Sequence, residues 1–197
     1  MTDLIATCER AAHRDGLAVG LAAALDGFDP DAAPGPVTAV PSERVAPGRE
    51  LVPHRVAEAT GISFVRCADT PPAGAEALTA VSVLVAAARL GATRRLLDHA
   101  VEHLSGRTSG GEPTIRKQLV LGTVADVLTG LEALRAQLRV GADSAASVAD
   151  VHDQITALDW ETAKLLGASG FMADGPGRTA HVSHLVANCW TVRDGGR

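Results

Sequence analysis

The sequence predicts a mainly α protein, an up-and-down helical bundle, and three observations predict it. Long stretches in the second half of the chain repeat apolar residues at three- and four-residue steps. Apolar types make up 46% of residues, but much of that is alanine and valine, with three Phe, two Trp and no Tyr. Helices must therefore pack closely through small side chains, with few aromatic plugs. With 197 residues the chain can bury one main core, or one core with a small appendage.

Thr2 to Leu25 reads as one helix, with Thr2 as its N-cap and Leu4, Ile5, Cys8, Ala11 and Ala12 on one face, although Gly16 and Gly20 weaken it. From Gly27 to Gly74 the chain is dense in Pro and Gly and should be mostly irregular, with two or three short strands that include GISFVRCA. Glu76 to Leu104 is apolar on most of its surface as far as Gly91, as expected of a central helix buried on several sides, and Gly106 stops it. Pro113 suits the first turn of the next helix, Thr114 to Val140, whose Val120, Val124, Val127, Leu131, Leu134 and Leu138 form one stripe. Ser147-Val-Ala-Asp150 resembles a capping box opening a third long helix, with Val148, Val151, Ile155, Leu158, Thr162 and Leu165 on one face and Gly167 at its end. Gly177 to Trp190 is a short fourth helix of the bundle. The expected division is residues 1–75 as an N-terminal region of helix, Pro/Gly-rich segment and short strands, and residues 76–197 as the bundle.

A net charge of −5 provides no global basic field for nucleic acid or an anionic membrane. The opening MTDLIATCERAAHRDG has no apolar signal core, and nowhere do eighteen uncharged apolar residues run together, so a cytoplasmic protein is expected. Cys8, Cys67 and Cys189 are odd in number and form no CxxC pair, which fits three structural thiols in a reducing compartment.

Few residues point to chemistry on their own. His99 and His103 lie four apart on a helix beside Asp98 and Glu102, a spacing that can chelate a metal, but a solvated helix end explains them and no metal is expected. His181 and His184 share one face of the last helix near Asn188 and Cys189 and are the acid–base candidates. Asp126 and Glu132 read as polar-face or inter-helix pairs, and Arg94-Arg95 and Arg116-Lys117 as solvated surface. The loop HLSGRTSGGEPTIRKQL, with Arg107, Arg116, Lys117 and Gln118, is either a plain turn or an anion contact.

Order and spacing add to these single residues. Gly91, Asp98, Arg107, Gly111, Gln118, Ala125-Asp126, Glu132 and Arg135 run in one order and spacing, and LGASGF from Leu166 to Phe171 and then Pro176 follow in the same order after a shortened helix start. Over roughly residues 76–190 this resembles the C-terminal helical domain of the acyl-CoA dehydrogenase family. The resemblance implies an oligomer, in which such a domain reaches across a subunit interface to FAD held by a neighbouring chain. Carried over, Arg107, Gly111 and Gln118 would face the flavin's adenine and pyrophosphate end, and Gly167 and Gly170 would let backbone approach it.

The departures from the family pattern carry equal weight. Gly110 stands where the family's loop has Phe, Ala168 replaces a second glycine, and Lys164 stands where glutamine is frequent. Counting from Phe171, the family's catalytic Glu falls in Cys189-Trp190-Thr191-Val192, where no side chain can abstract a thioester α proton at neutral pH. The family's TEPxxGSD stretch has no counterpart in the first 75 residues. The favoured reading is an acyl-CoA dehydrogenase-like subunit without its own base, sharing FAD with a larger flavoprotein chain that acts on an acyl thioester. The alternatives are a cofactor-free cyclase or isomerase of specialised bacterial metabolism, and a non-catalytic structural bundle.

Overall fold

A computed structural model describes residues 1–142 and 144–192. Seven helices dominate the described residues: α1 Thr2–Asp15, α2 Leu17–Ala24, α3 Arg55–Glu58, α4 Ala75–Ser105, α5 Gln118–Val140, α6 Ala145–Leu165 and α7 Arg178–Trp190. The strands are short: β1 Val37–Pro41, β2 Leu51–Val52, β3 Ile62–Arg66, β4 Thr108–Ser109 and β5 Glu112–Pro113. The helical bundle expected from periodicity is the architecture found.

Helix α4 is the axle. From Val81 to Thr93 almost every residue is buried, because α1, α2, α6 and α7 all pack on it. Its small residues set the spacing: a Cβ on Gly91 would lie 2.1 Å from the Glu9 carbonyl oxygen, so α1 crosses in direct backbone contact. Among the described residues it is the one helix long and apolar enough to span a membrane, and its faces are instead spent on its neighbours. Arg135 of α5 ties the same corner by donating from Nε to Glu9 Oε1 at 2.7 Å, and also pairs with Glu132.

The structure corrects three expectations. Thr2 to Leu25 is not one helix: Gly16, at φ 101° and ψ 169°, breaks it into α1 and α2, and Gly20 then packs against Ala12. Pro113 does not open a helix. Gly110 and Gly111, at φ 68° and 84°, turn the chain so that Thr108 pairs with Pro113 in a small hairpin, and a 3-10 turn over Thr114–Arg116 precedes α5. The third long helix starts one turn earlier than Ser147, since Ser144 is the cap and its Oγ accepts from the Ser147 amide at 3.1 Å.

The Pro/Gly-rich segment forms a three-stranded antiparallel sheet, ordered β1-β3-β2, with Val37 opposite Arg66 and Pro41 opposite Ile62. Asp31 pins the surrounding loops by accepting two bonds from Arg49, each 2.5 Å, and one from the Ala68 amide. Helix α7 covers β1. Trp190 is fully buried there, donating from Nε1 to the Ala39 carbonyl at 2.9 Å and meeting Phe28 edge-on at 5.6 Å.

Candidate functional site

The loop between α4 and α5 forms one wall of a groove. The end of α4, the hairpin, the 3-10 turn and the C-terminus of α6 enclose about 510 Å3, lined by His103, Arg107, Thr108, Thr114, Lys164 and Gly167 among others. Two cations line it and no carboxylate does. Arg107 donates from Nη1 to His103 Nε2 at 3.3 Å. Lys164 is engaged from outside by Glu161 at 2.6 Å. Gly167 follows the end of α6 at φ 60° with open space where a Cβ would stand.

Arg107 and Gly167 are thus brought together, and the other candidates are placed differently. Gly111 sits at the hairpin tip, exposed and at φ 84°. Gln118 is the first residue of α5, exposed and outside the groove lining, because the 3-10 turn carries the chain past it. Gly170 is buried, and the close approach it allows is to α6: a Cβ there would lie 2.1 Å from the Ala163 carbonyl oxygen.

His181 and His184 do not face a common groove with Trp190, since Trp190 fills its own space against β1. The His181 ring stacks on His54 at 5.6 Å, and desolvation, with the His54 ring as a second cause, pushes its pKa down. His184 is half-buried on the same helix. His99 and His103 are not drawn together with further ligands: no cluster of three metal-binding side chains exists among the described residues. Cys189 is half-buried, with its thiol pushed up to about 12 by burial. In the Cys189-Trp190-Thr191-Val192 stretch, Thr191 is buried and its Oγ1 has no hydrogen-bond partner among the described residues. A threonine hydroxyl there cannot serve as a base near neutral pH.

The most elaborate polar arrangement in the molecule is one that sequence reading missed. Arg89, in the middle of α4, is fully buried with His152 and Asp159 of α6 and Ser183 of α7. Its Nε donates to Ser183 Oγ at 2.8 Å, Nη1 to His152 Nδ1 and to the His152 carbonyl at 2.9 Å, and Nη2 to Thr156 Oγ1 at 2.8 Å. Arginine cannot accept, so His152 Nδ1 is the acceptor and its Nε2–H points to the Ser82 carbonyl at 3.1 Å: the imidazole is neutral. Asp159 lies 3.4 Å from Arg89 and accepts from Thr93 at 2.7 Å. The signal was present, as a lone Arg inside LTAVSVLVAAARLGA, and His152 and Asp159 two turns apart on the apolar face of α6.

Burial raises the Asp159 carboxyl to about 6, against the opposing pull of Arg89 and of the Thr93 and Ser183 hydroxyls. A carboxyl raised from its ordinary 3.8 contributes stability that is fully present below pH 3.8 and is lost as pH rises through about 6. Asp159→Asn should therefore flatten stability between pH 4 and pH 7 relative to the parent. Urea midpoints across that range check this, and parallel profiles for the two proteins would refute it.

Small-residue helices packed around one buried axle, ending in a cationic, glycine-edged groove, form a single helical domain. The chain belongs to the acyl-CoA dehydrogenase family: the model of that family's C-terminal domain matches residues 75–191. Solved structures agree at the level of the fold. An acyl-CoA dehydrogenase from Geobacillus kaustophilus is 18% identical with a TM-score of 0.52, covering 79% of this chain and 46% of its own. Butyryl-CoA dehydrogenase from Megasphaera elsdenii is 18% identical with a TM-score of 0.52, covering 79% of this chain and 48% of its own. An FAD-dependent dehydrogenase is 18% identical with a TM-score of 0.54, covering 75% and 47%. The chain thus spans just under half the length of these structures. No curated protein matches it.

The residues present fit one end of a flavin dinucleotide. Arg107 and Lys164 suit a pyrophosphate, and Gly167 leaves its backbone open to close approach. The sheet is spent differently: β1 is buried from Thr38 to Pro41, with α7 packed on it.

Proposed function

We propose that this chain is a helical-domain subunit of a larger acyl-CoA dehydrogenase-type flavoprotein, contributing Arg107 and Gly167, with the exposed Gly111 and Gln118 on the flanking hairpin and helix start, to FAD held mainly by a partner chain. Gly170, buried against α6, serves the fold instead. The observation that carries this reading is the carboxylate-free groove in which Arg107, Lys164 and Gly167 meet. Beside it, α5 leaves Leu119 87% and Leu121 50% exposed, although Val127, Leu131, Leu134 and Leu138 further along the same helix are buried. An apolar helix surface next to a half-formed cofactor site is what a subunit interface requires. In this reading the partner supplies the base, and the substrate is an acyl thioester. FAD, bound there, supplies hydride acceptance. This chain's own part is to hold the dinucleotide's anionic end and to close the interface.

The test uses the purified chain alone and then mixed with a full-length acyl-CoA dehydrogenase encoded beside it, reading visible absorbance and mass by light scattering. Flavin absorbance that grows only with a mixed complex is the expected result. A colourless homo-oligomer that ignores the partner would remove the proposal.

A further inference from the structure

A second cationic cavity lies away from the Arg107 groove and shares no lining residue with it. It holds about 240 Å3 between α2, α4 and α7. Arg95, Arg178 and His99 line it together with the hydroxyl-bearing Thr60 and Thr179, and its walls are aliphatic, with Leu17, Leu96 and Val182. No carboxylate lines it, in a chain with 23 acidic and 18 basic residues. The acids nearest in sequence are hydrogen-bonded to other side chains, although Asp15 also acts on Arg95 through space. Asp15 accepts from Arg14 at 2.7 Å, and Asp98 holds His13 at 2.6 Å and Arg94 at 3.3 Å.

The two guanidiniums differ in how they are held. Arg95 donates from Nη1 to the carbonyls of His13 and Arg14, which anchors it against the end of α1 and, among the described residues, leaves its Nε and Nη2 without a hydrogen bond. The guanidinium of Arg178 makes no hydrogen bond or ion pair among the described residues, although it is half-buried. The charge of Asp15 offsets Arg95 only in part, Arg178 has no ion pair among the described residues, and an anion between the two guanidiniums relieves their remaining repulsion. The Gly16 break adds to this: Leu17, which lines the cavity, opens α2 with no side-chain cap on its first amides.

We propose that this cavity binds phosphate, free or as the monoester end of a small ligand, through Arg95 and Arg178. Pockets for drug-sized ligands run from about 300 to 1,000 Å3. At about 240 Å3 this one has room for a phosphate and a short attachment, so a whole dinucleotide is excluded. Charge-assisted hydrogen bonds from the two half-buried guanidiniums to a dianion would supply the affinity.

Calorimetric titration of the full chain at constant ionic strength tests this, with inorganic phosphate in one arm and phosphoethanolamine in the other. Saturable binding of either, weakened at least tenfold by Arg178→Ala, is expected. Equal affinities assign the site to free phosphate, whereas tighter phosphoethanolamine binding assigns it to a monoester. Arg178→Glu is the second variant, because an acid in the first turn of α7 favours the helix and so preserves folding while repelling phosphate. Heats reproduced by sodium chloride alone, or binding unchanged in both variants, would overturn the proposal. Because the two cavities share no residue, that result leaves the flavin reading standing, and a failed flavin test leaves this site standing.

Discussion

Arg89→Ala should destabilise the protein by about 3–5 kcal/mol, the cost of removing one partner from a buried ion pair. The reason lies in what remains. His152 Nδ1, the His152 carbonyl, Ser183 Oγ and Thr156 Oγ1 all lose a donor, and Asp159 is left without its cation in a site that no solvent reaches. The network joins α4, α6 and α7, so its loss loosens three helices at once. Arg89→Met combined with Asp159→Leu should recover much of the loss, because an apolar pair removes both charges rather than one. Urea unfolding of the single and double variants measures both effects, and an Arg89→Ala protein as stable as the parent would contradict the network's role.

Gly91→Ala is the second large effect, by a different mechanism. A Cβ at this position would lie 2.1 Å from the Glu9 carbonyl oxygen and 2.9 Å from the His13 amide nitrogen, and both are backbone atoms that cannot rotate away. Overpacking usually costs about 1–3 kcal/mol, and a clash with backbone belongs at or above the upper end. Helix α1 must move off α4, which also strains the Arg135–Glu9 tie. Gly122→Ala, where a Cβ meets nothing within 4 Å, serves as the control and should be neutral or slightly stabilising because alanine favours helix. Thermal unfolding distinguishes them, and equal melting temperatures for the two variants would refute the role assigned to Gly91.

Periodicity and composition made the three long helices and the buried axle legible, since an amphipathic stripe or an all-round apolar run is a local property. What was not legible depended on tertiary placement or on backbone dihedrals. Gly16 and Gly20 look alike in the sequence, yet one breaks the helix at positive φ and the other only lets α2 close on Ala12. Pro113 is compatible with a helix start, and only the Gly110-Gly111 turn diverts it into a hairpin. Gly91 stands out in the sequence only as part of a family register, whereas its physical reason is a backbone on another helix. Arg89, His152 and Asp159 are far apart in the sequence and become one group only when α4 and α6 pack. In the candidate site, Arg107 and Gly167, both named from the family pattern, line one groove together with Lys164, a departure from that pattern.

The central claim is that Arg107 touches a flavin shared between two chains. The most direct measurement is the FAD dissociation constant of the mixed complex, taken with the parent chain and with Arg107→Ala. A loss of tenfold or more, about 1.4 kcal/mol, with the complex still assembled, is the predicted result. Unchanged FAD affinity in an intact complex would contradict it.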